Sequence, residues 1–257
     1  MKAGIVSITF RKLSVEDIVN LITENGLSAV EWGGDIHVPH GDISKAEYAS
    51  KLCAKNGVDI VSYGSYYRVG VSEEEGLAFD DVLHTAETLG APLVRVWAGR
   101  KGSGDADDTD WQRVIDDSIR ICSMAADAGI RVSYEYHGNT LTDTSASARQ
   151  LLQRANHEML RTHWQPPTGL DRERCLYGLN AILPHLSLIH AFTWHKAQDG
   201  SNERRPLAEG KKEWLDYLRT ASGAPRDVPV LLEFVKDDNP DQFREDAATL
   251  LSWLNEL

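Results

Sequence analysis

Eight short apolar runs rich in β-branched residues recur along the chain, and a longer segment of helical period follows each. That order belongs to a parallel sheet assembled from βα units. The runs are Gly4–Ile8, Ala29–Trp32, Asp59–Tyr63, Leu93–Trp97, Arg131–Tyr136, Met159–Trp164, Ser187–Phe192 and Val228–Phe234. Helix punctuation agrees with them. Ser14 followed by Asp17 has the form of a capping box opening Val15–Glu24, and Gly26 stands where that helix should stop. Asp108 or Thr109 can cap a long helix carrying Ile115, Ile119, Ile121 and Ala125 and ending at Gly129. Later helices are read at Ala146–Ala155, Asp171–Ile182, Lys211–Ala221 and Pro240–Asn255.

Eight such units close into a (β/α)8 barrel (a TIM barrel) or open into a doubly wound sheet. Two features favour the barrel. No Gly-x-Gly-x-x-Gly turn follows the first run, and polar residues stand at the carboxyl end of nearly every run, where a barrel assembles its site. The 257 residues suit one barrel domain spanning 1–257, with the stretches Trp97–Asp108 and His195–Gly210 as loops over the site.

The remaining composition serves mainly to exclude. The formal charge of −12 opposes polyanions, so nucleic acid is not an expected partner. The opening MKAGIVSITF lacks the apolar core of a signal peptide, and no apolar run is long enough to span a bilayer. Neither membrane nor secretion is expected, and the expected location is cytoplasmic. Cys53, Cys122 and Cys175 are odd in number and widely spaced, which reads as buried thiols and not as a disulfide framework or zinc site.

Alternate strand residues share a face, so inward sets can be written down once one member is fixed. They are Ser133, Glu135 and His137 in the fifth run, and His163 and Gln165 in the sixth. The seventh offers His190, Phe192 and Trp194, and the eighth Leu231 and Glu233. A carboxylate inside Val-Leu-Leu-Glu-Phe-Val or Val-Ser-Tyr-Glu-Tyr-His is costly to bury without a counter-charge. Two such glutamates facing one another ask for a divalent ion between them. The alternative is an internal ion pair in which Arg95 or Lys236 neutralises one of them.

Four stretches, Tyr-Glu-Tyr-His-Gly-Asn-Thr, Trp-Gln-Pro-Pro, Ile-His-Ala-Phe-Thr-Trp and Leu-Leu-Glu-Phe, give the chain a resemblance to the xylose-isomerase-like superfamily. Its sugar isomerases and epimerases include tagatose 3-epimerase and hydroxypyruvate isomerase, and inosose dehydratase also belongs to it. The resemblance implies one divalent ion, manganese first, with magnesium, cobalt or zinc as alternatives, held by Glu135, Gln165, His190 and Glu233. Gln165 stands where the family usually has Asp, which removes one negative charge from the ligand set and still leaves a hard amide oxygen. The family also implies a homodimer.

The implied chemistry removes a proton next to a carbonyl, with Glu135 and Glu233 as the catalytic acid and base on the two faces of a small carbohydrate substrate. Returning the proton makes an isomerase or epimerase of a ketose-type sugar. Losing a β-substituent instead makes a dehydratase or lyase. A barrel that only binds a sugar or a partner is the third reading. Candidate substrate contacts are Glu31, Tyr63, Trp97, His137, Trp164, Trp194 and Lys236, with Tyr66 as a further aromatic. Arg68 and Arg100 read as solvated cations, and His37 or His40 as lining the entrance beside a turn made by Gly33 and Gly34. The three-zinc layout of endonuclease IV is not expected, because Gln165 replaces an acidic ligand.

Overall fold

The computed structural model describes residues 1–257, and its sheet is a closed, all-parallel, eight-stranded barrel. In chain order the barrel strands are β1 (Ala3–Val6), β2 (Ala29–Gly33), β3 (Asp59–Arg68), β4 (Leu93–Trp97), β5 (Arg131–Glu135), β6 (Leu160–Trp164) and β7 (Leu186–Ala191). A two-stranded antiparallel hairpin follows, β8 (Thr193–Lys196) with β9 (Asn202–Arg205), and β10 (Val230–Leu232) then closes the barrel between β7 and β1. Eight helices pack outside: α1 (Val15–Glu24), α2 (Ile43–Asn56), α3 (Phe79–Leu89), α4 (Asp108–Asp127), α5 (Ser145–Ala155), α6 (Arg172–Ile182), α7 (Lys211–Ala221) and α8 (Pro240–Asn255).

Local chemistry sets these boundaries. Ser14 and Asp17 form the reciprocal capping box of α1, and Asp107, one residue before the expected position, forms that of α4 with Asp110. Outward strand residues such as Val94, Val96, Val132 and Tyr134 are buried with the apolar faces of the helices in one large core. Inside the barrel a small apolar plug of Val6, Ile8, Ala29, Leu188 and Leu231 fills the cross-section. Gly4 lets β1 approach closely, since a Cβ there would stand 2.0 Å from the Ala29 carbonyl oxygen. No helix is long and apolar enough to cross a membrane.

Two departures from the strand pattern shape the mouth. A hairpin that starts at Thr193 runs through most of the segment expected as a loop from His195, and its charged strand Asn-Glu-Arg-Arg has no apolar alternation to announce it. β3 continues to Arg68 through a register break between Gly64 and Tyr67, where Tyr66 takes φ +57° and turns its ring toward the barrel axis.

The buried Asp246 on α8 ties that helix to the turn at Leu207, accepting from the Leu207 N–H at 2.8 Å and from Gln242 at 3.0 Å. Burial pushes its pKa up from 3.8 to about 6. The fold therefore keeps a proton that the unfolded chain releases, and stability falls as pH rises from about 4 through 6. Asp246→Asn retains an acceptor oxygen and removes the buried charge. It should melt higher than the parent at pH 8 by the equivalent of about 1 kcal/mol, discounted for screening, with the gap closing at pH 4. Calorimetry at the two pH values checks this, and an equal effect at both would contradict the assignment.

Candidate metal centre and carbohydrate site

At the carboxyl ends of the strands lies a cavity of about 590 Å³. At its floor, the last residue of β5, the penultimate residue of β7 and the residue just past β10 converge. His190 Nδ1 stands 3.6 Å from Glu135 Oε1 and 3.5 Å from Glu233 Oε2, and all three residues are buried. Glu233 reaches this point because β10 ends at Leu232 and the chain then turns through Phe234, at φ +51°.

Gln165, just past β6, lines the same cavity. Its Nε2 donates to the Tyr136 carbonyl at 2.6 Å, which anchors the amide and leaves the buried Oε1 without any hydrogen-bond partner. An orphaned buried acceptor in the cavity that two carboxylates also line, with an imidazole against those carboxylates, is a donor set that fits a divalent cation. Glu135, Gln165 and Glu233 therefore line one cavity, and His190 lies buried beneath it against the two glutamates.

The two glutamates differ in their restraints. Glu135 Oε2 accepts from the Arg95 guanidinium and from Trp97 Nε1, the latter at 2.5 Å. Burial opposes ionisation of Glu135, but Arg95 and His190 outweigh it and hold the carboxyl well below the usual range. Glu233 makes no side-chain hydrogen bond, and His190 is the one basic group within ion-pair distance of it. Burial, reinforced by Glu135 and Glu31, raises its pKa to about 7 against the pull of His190 and Arg95. Burial lowers the basicity of His190, yet Glu233, Glu31 and Glu135 around it prevail and push its pKa up to about 10.

Arg95 is the internal ion-pair partner weighed above, and it serves two carboxylates at once. Its Nε lies 2.8 Å from Glu31 Oε1, and its Nη1 meets Glu135. Gly64 makes the space, because a Cβ there would fall 2.5 Å from Arg95 Nη2. Tyr66 covers the guanidinium with its ring, 4.7 Å from the centroid.

Several expected substrate contacts lie around this floor. Trp97 lines the cavity with His137 stacked on it at 4.5 Å, and Tyr66 meets Trp97 edge-on. Trp194, joined to Phe192 and Phe234, forms the opposite wall. Four others are elsewhere. Tyr63 is fully buried on the helix side of β3, where its hydroxyl donates to the Val38 carbonyl and faces His40. Trp164 has the opposite parity to His163 and Gln165, so its ring packs outward on Trp214 and Tyr217. Lys236 falls in the short helical turn after β10, outside the lining. Glu31 is sealed beneath the cavity by Arg95 and His163 and cannot touch a substrate.

The histidines of the second loop do not line the entrance either. His37 is buried against the Leu13 carbonyl, and His40 packs on Tyr63. Arg68 lies over the Trp97 ring and Arg100 pairs with Glu75, both outside the cavity lining. Sequence reading assigned no role to His163, although it lies on the inward face one layer below Gln165. That parity was the available signal.

A family model described as xylose isomerase-like TIM barrel matches residues 19–257. The chain belongs to this family. Over 174 residues it is 29% identical to the 3-dehydroshikimate dehydratase of Bacillus anthracis, a match taking in 63% of this chain and 60% of that enzyme's length. The crystal structure of the probable 3-DHS dehydratase AsbF from Bacillus anthracis superposes with a TM-score of 0.81 at 22% identity, covering 98% of this chain and 99% of the other. A D-psicose 3-epimerase crystallised in the presence of D-fructose gives 0.74 at 14% identity, covering 98% of each chain. A family barrel from Mycobacterium smegmatis in complex with magnesium gives 0.75 at 16%, covering 99% of this chain and 97% of that one. Dehydratases and epimerases thus share this architecture, and at these identities the structural likenesses speak for the fold.

Proposed function

We propose that this protein is a divalent-metal-dependent isomerase of an uncharged ketose-type sugar, working by proton transfer next to the carbonyl with Glu233 as its base. The observation that carries the proposal is the unequal pair of glutamates. Glu135 is pinned by two donors, whereas Glu233 faces the cavity with no hydrogen bond to hold it.

Glu135, Gln165, His190 and Glu233 would hold the ion, with manganese preferred and magnesium, cobalt or zinc as alternatives. When bound, it supplies a Lewis acid that stabilises negative charge on the substrate's carbonyl and hydroxyl oxygens. Glu233 takes the proton from the carbon beside the carbonyl, the electron pair moves into a new C=C bond, and the carbonyl oxygen becomes the enediolate oxygen. Glu233 then returns the proton to the former carbonyl carbon, while the proton of the adjacent hydroxyl passes to the former carbonyl oxygen, so that the C=C electron pair forms the new C–H bond and the adjacent C–O becomes the new carbonyl. Trp97, His137 and Trp194 present ring faces and edges to the sugar. The pinning of Glu135 replaces the two-glutamate acid–base pair with one mobile base and one anchored ligand.

Neutrality of the substrate follows from the cations present. The lining holds two arginines and no lysine, with Arg11 paired to Asp35 and Arg95 to Glu31 and Glu135. No free cation remains for a phosphate or carboxylate, whereas Tyr66 Oη and Trp194 Nε1 are buried neutral groups without partners. Such groups suit hydroxyls and carbonyls.

The second reading is a dehydratase acting on a keto-sugar or keto-inositol, and the identity to a curated dehydratase favours it. It shares the first step and differs in losing a β-hydroxyl.

Incubation with manganese in D2O and a panel of ketoses, inososes and 3-keto-glycosides tests the proposal. Deuterium should appear beside the carbonyl by NMR, and product identity separates the two readings. Absence of exchange across the panel would overturn both. For the ligand set, Gln165→Leu should weaken manganese binding at least about tenfold by calorimetry, while the melting temperature falls only by the loss of one hydrogen bond, about 1 kcal/mol. Unchanged affinity would remove Gln165 from the set.

A further inference from the structure

His190 belongs to two overlapping groups of buried side chains, one with Glu135 and Glu233 and the other with Glu31 and His163. Its ring stands between them. Nδ1 faces the two cavity glutamates, and Nε2 faces Glu31 Oε2 at 3.6 Å. Neither nitrogen has a hydrogen-bond partner as the ring stands, an expensive arrangement for a fully buried imidazole.

Glu31 is itself held by two side chains, one of them backed by a third. Arg95 Nε lies 2.8 Å from Oε1, His163 Nε2 lies 3.0 Å from Oε2, and Ser133 Oγ lies 2.6 Å from His163 Nδ1. Ser133 in turn meets Ser187 at 2.8 Å, and Ser187 donates to the Thr162 carbonyl. The direction of donation follows. Glu31 is ion-paired with Arg95, so its Oε2 accepts from His163 Nε2–H, and His163 Nδ1 must accept from the Ser133 hydroxyl. One lone-pair direction of Oε2 is left, on the side of His190.

We propose that Glu31 is a positioning residue for the metal centre, accepting the Nε2–H of His190 and thereby committing Nδ1 to the ion, with Arg95, His163 and Ser133 fixing Glu31 in place. The inference rests on the metal reading above and adds a buried layer beneath it, reaching from β2 through β7 to the cavity. A carboxylate behind a ligating imidazole orients the ring and raises its basicity. At 3.6 Å the contact is longer than a hydrogen bond and closes when Nδ1 is engaged. This explains why a carboxylate that no substrate can reach sits in the barrel interior.

Long-range ¹H–¹⁵N correlation spectra of the zinc-loaded wild-type protein, with His190 assigned through His190→Gln, provide the test. Expected are a metal-shifted Nδ1 and a protonated Nε2 whose hydrogen exchanges slowly with water. Zinc on Nε2, or a rapidly exchanging Nε2–H, would overturn the proposal. Glu31→Gln should also weaken manganese affinity by about ten- to a hundredfold in a competition titration, and wild-type affinity in that variant would count against the role. Should Glu31→Gln fail to fold because Arg95 loses its partner, the wild-type spectra still decide. A wild-type protein that binds neither zinc nor manganese would overturn this inference together with the metal reading. Zinc on Nδ1 in a protein that shows no proton exchange would leave it standing and remove only the proposed activity.

Discussion

Glu233→Gln should lose deuterium incorporation beside the substrate carbonyl by roughly 10²–10⁴-fold, the contribution of a positioned general base. The amide keeps the volume and an oxygen that can still face an ion, so the deficit should fall on kcat more than on KM. The substitution should not unfold the protein. Burial raises the Glu233 pKa to about 7, so the wild-type carboxyl is already destabilised as an anion, and a neutral group there costs little. Glu135→Gln should behave differently. It strips a charge partner from Arg95 and a ligand from the ion, lowering stability and metal affinity together. A Glu233→Gln protein exchanging at the wild-type rate would place the base elsewhere, His137 being the next group in the cavity.

Arg95→Met should be the most destabilising single change at the site. Arg95, Glu31 and Glu135 are all within a few per cent of complete burial. Removing the guanidinium leaves two buried carboxylates without their counter-charge, and breaking such a pair costs about 3–5 kcal/mol. For a chain of this size that corresponds to a fall of roughly 10 °C in melting temperature. Manganese should restore part of the loss, because it compensates Glu135 and not Glu31, and an ion at a hundred times its Kd adds about 2.7 kcal/mol. A melting temperature within about 2 °C of the wild type would show that the glutamates do not depend on Arg95.

The fold was legible because its signals are local. Eight apolar runs, helix caps such as Ser14–Asp17 and the period of the intervening segments each act within a few residues, and together they admit few topologies. The hairpin was not legible, since Asn202–Arg205 is held by pairing with Thr193–Lys196 and carries charge at nearly every position.

Parity along the strands set Glu135, Gln165 and His190 apart as inward groups. The same rule, applied to their neighbours, excludes Trp164 and Tyr63. Their aromatic character had suggested sugar contact, but the alternating backbone turns them toward the helices. Lys236 lies past the end of β10, where positive φ angles at Phe234 and Asp237 end the alternation.

The sequence by itself determined the βα order, the polar residues at the carboxyl ends of the strands and the alternation of faces along them, and favoured the barrel, because these follow from short-range periodicity and the cost of burying a charge. Only the tertiary structure decided how those residues are layered. Strand stagger sets Glu31 and His163 below the cavity floor, brings Arg95 from β4 between glutamates of β2 and β5, and leaves the Glu233 carboxyl without a hydrogen bond. Those pairings join residues up to 132 positions apart. Their energies depend on distances of a few ångströms, which no local pattern encodes.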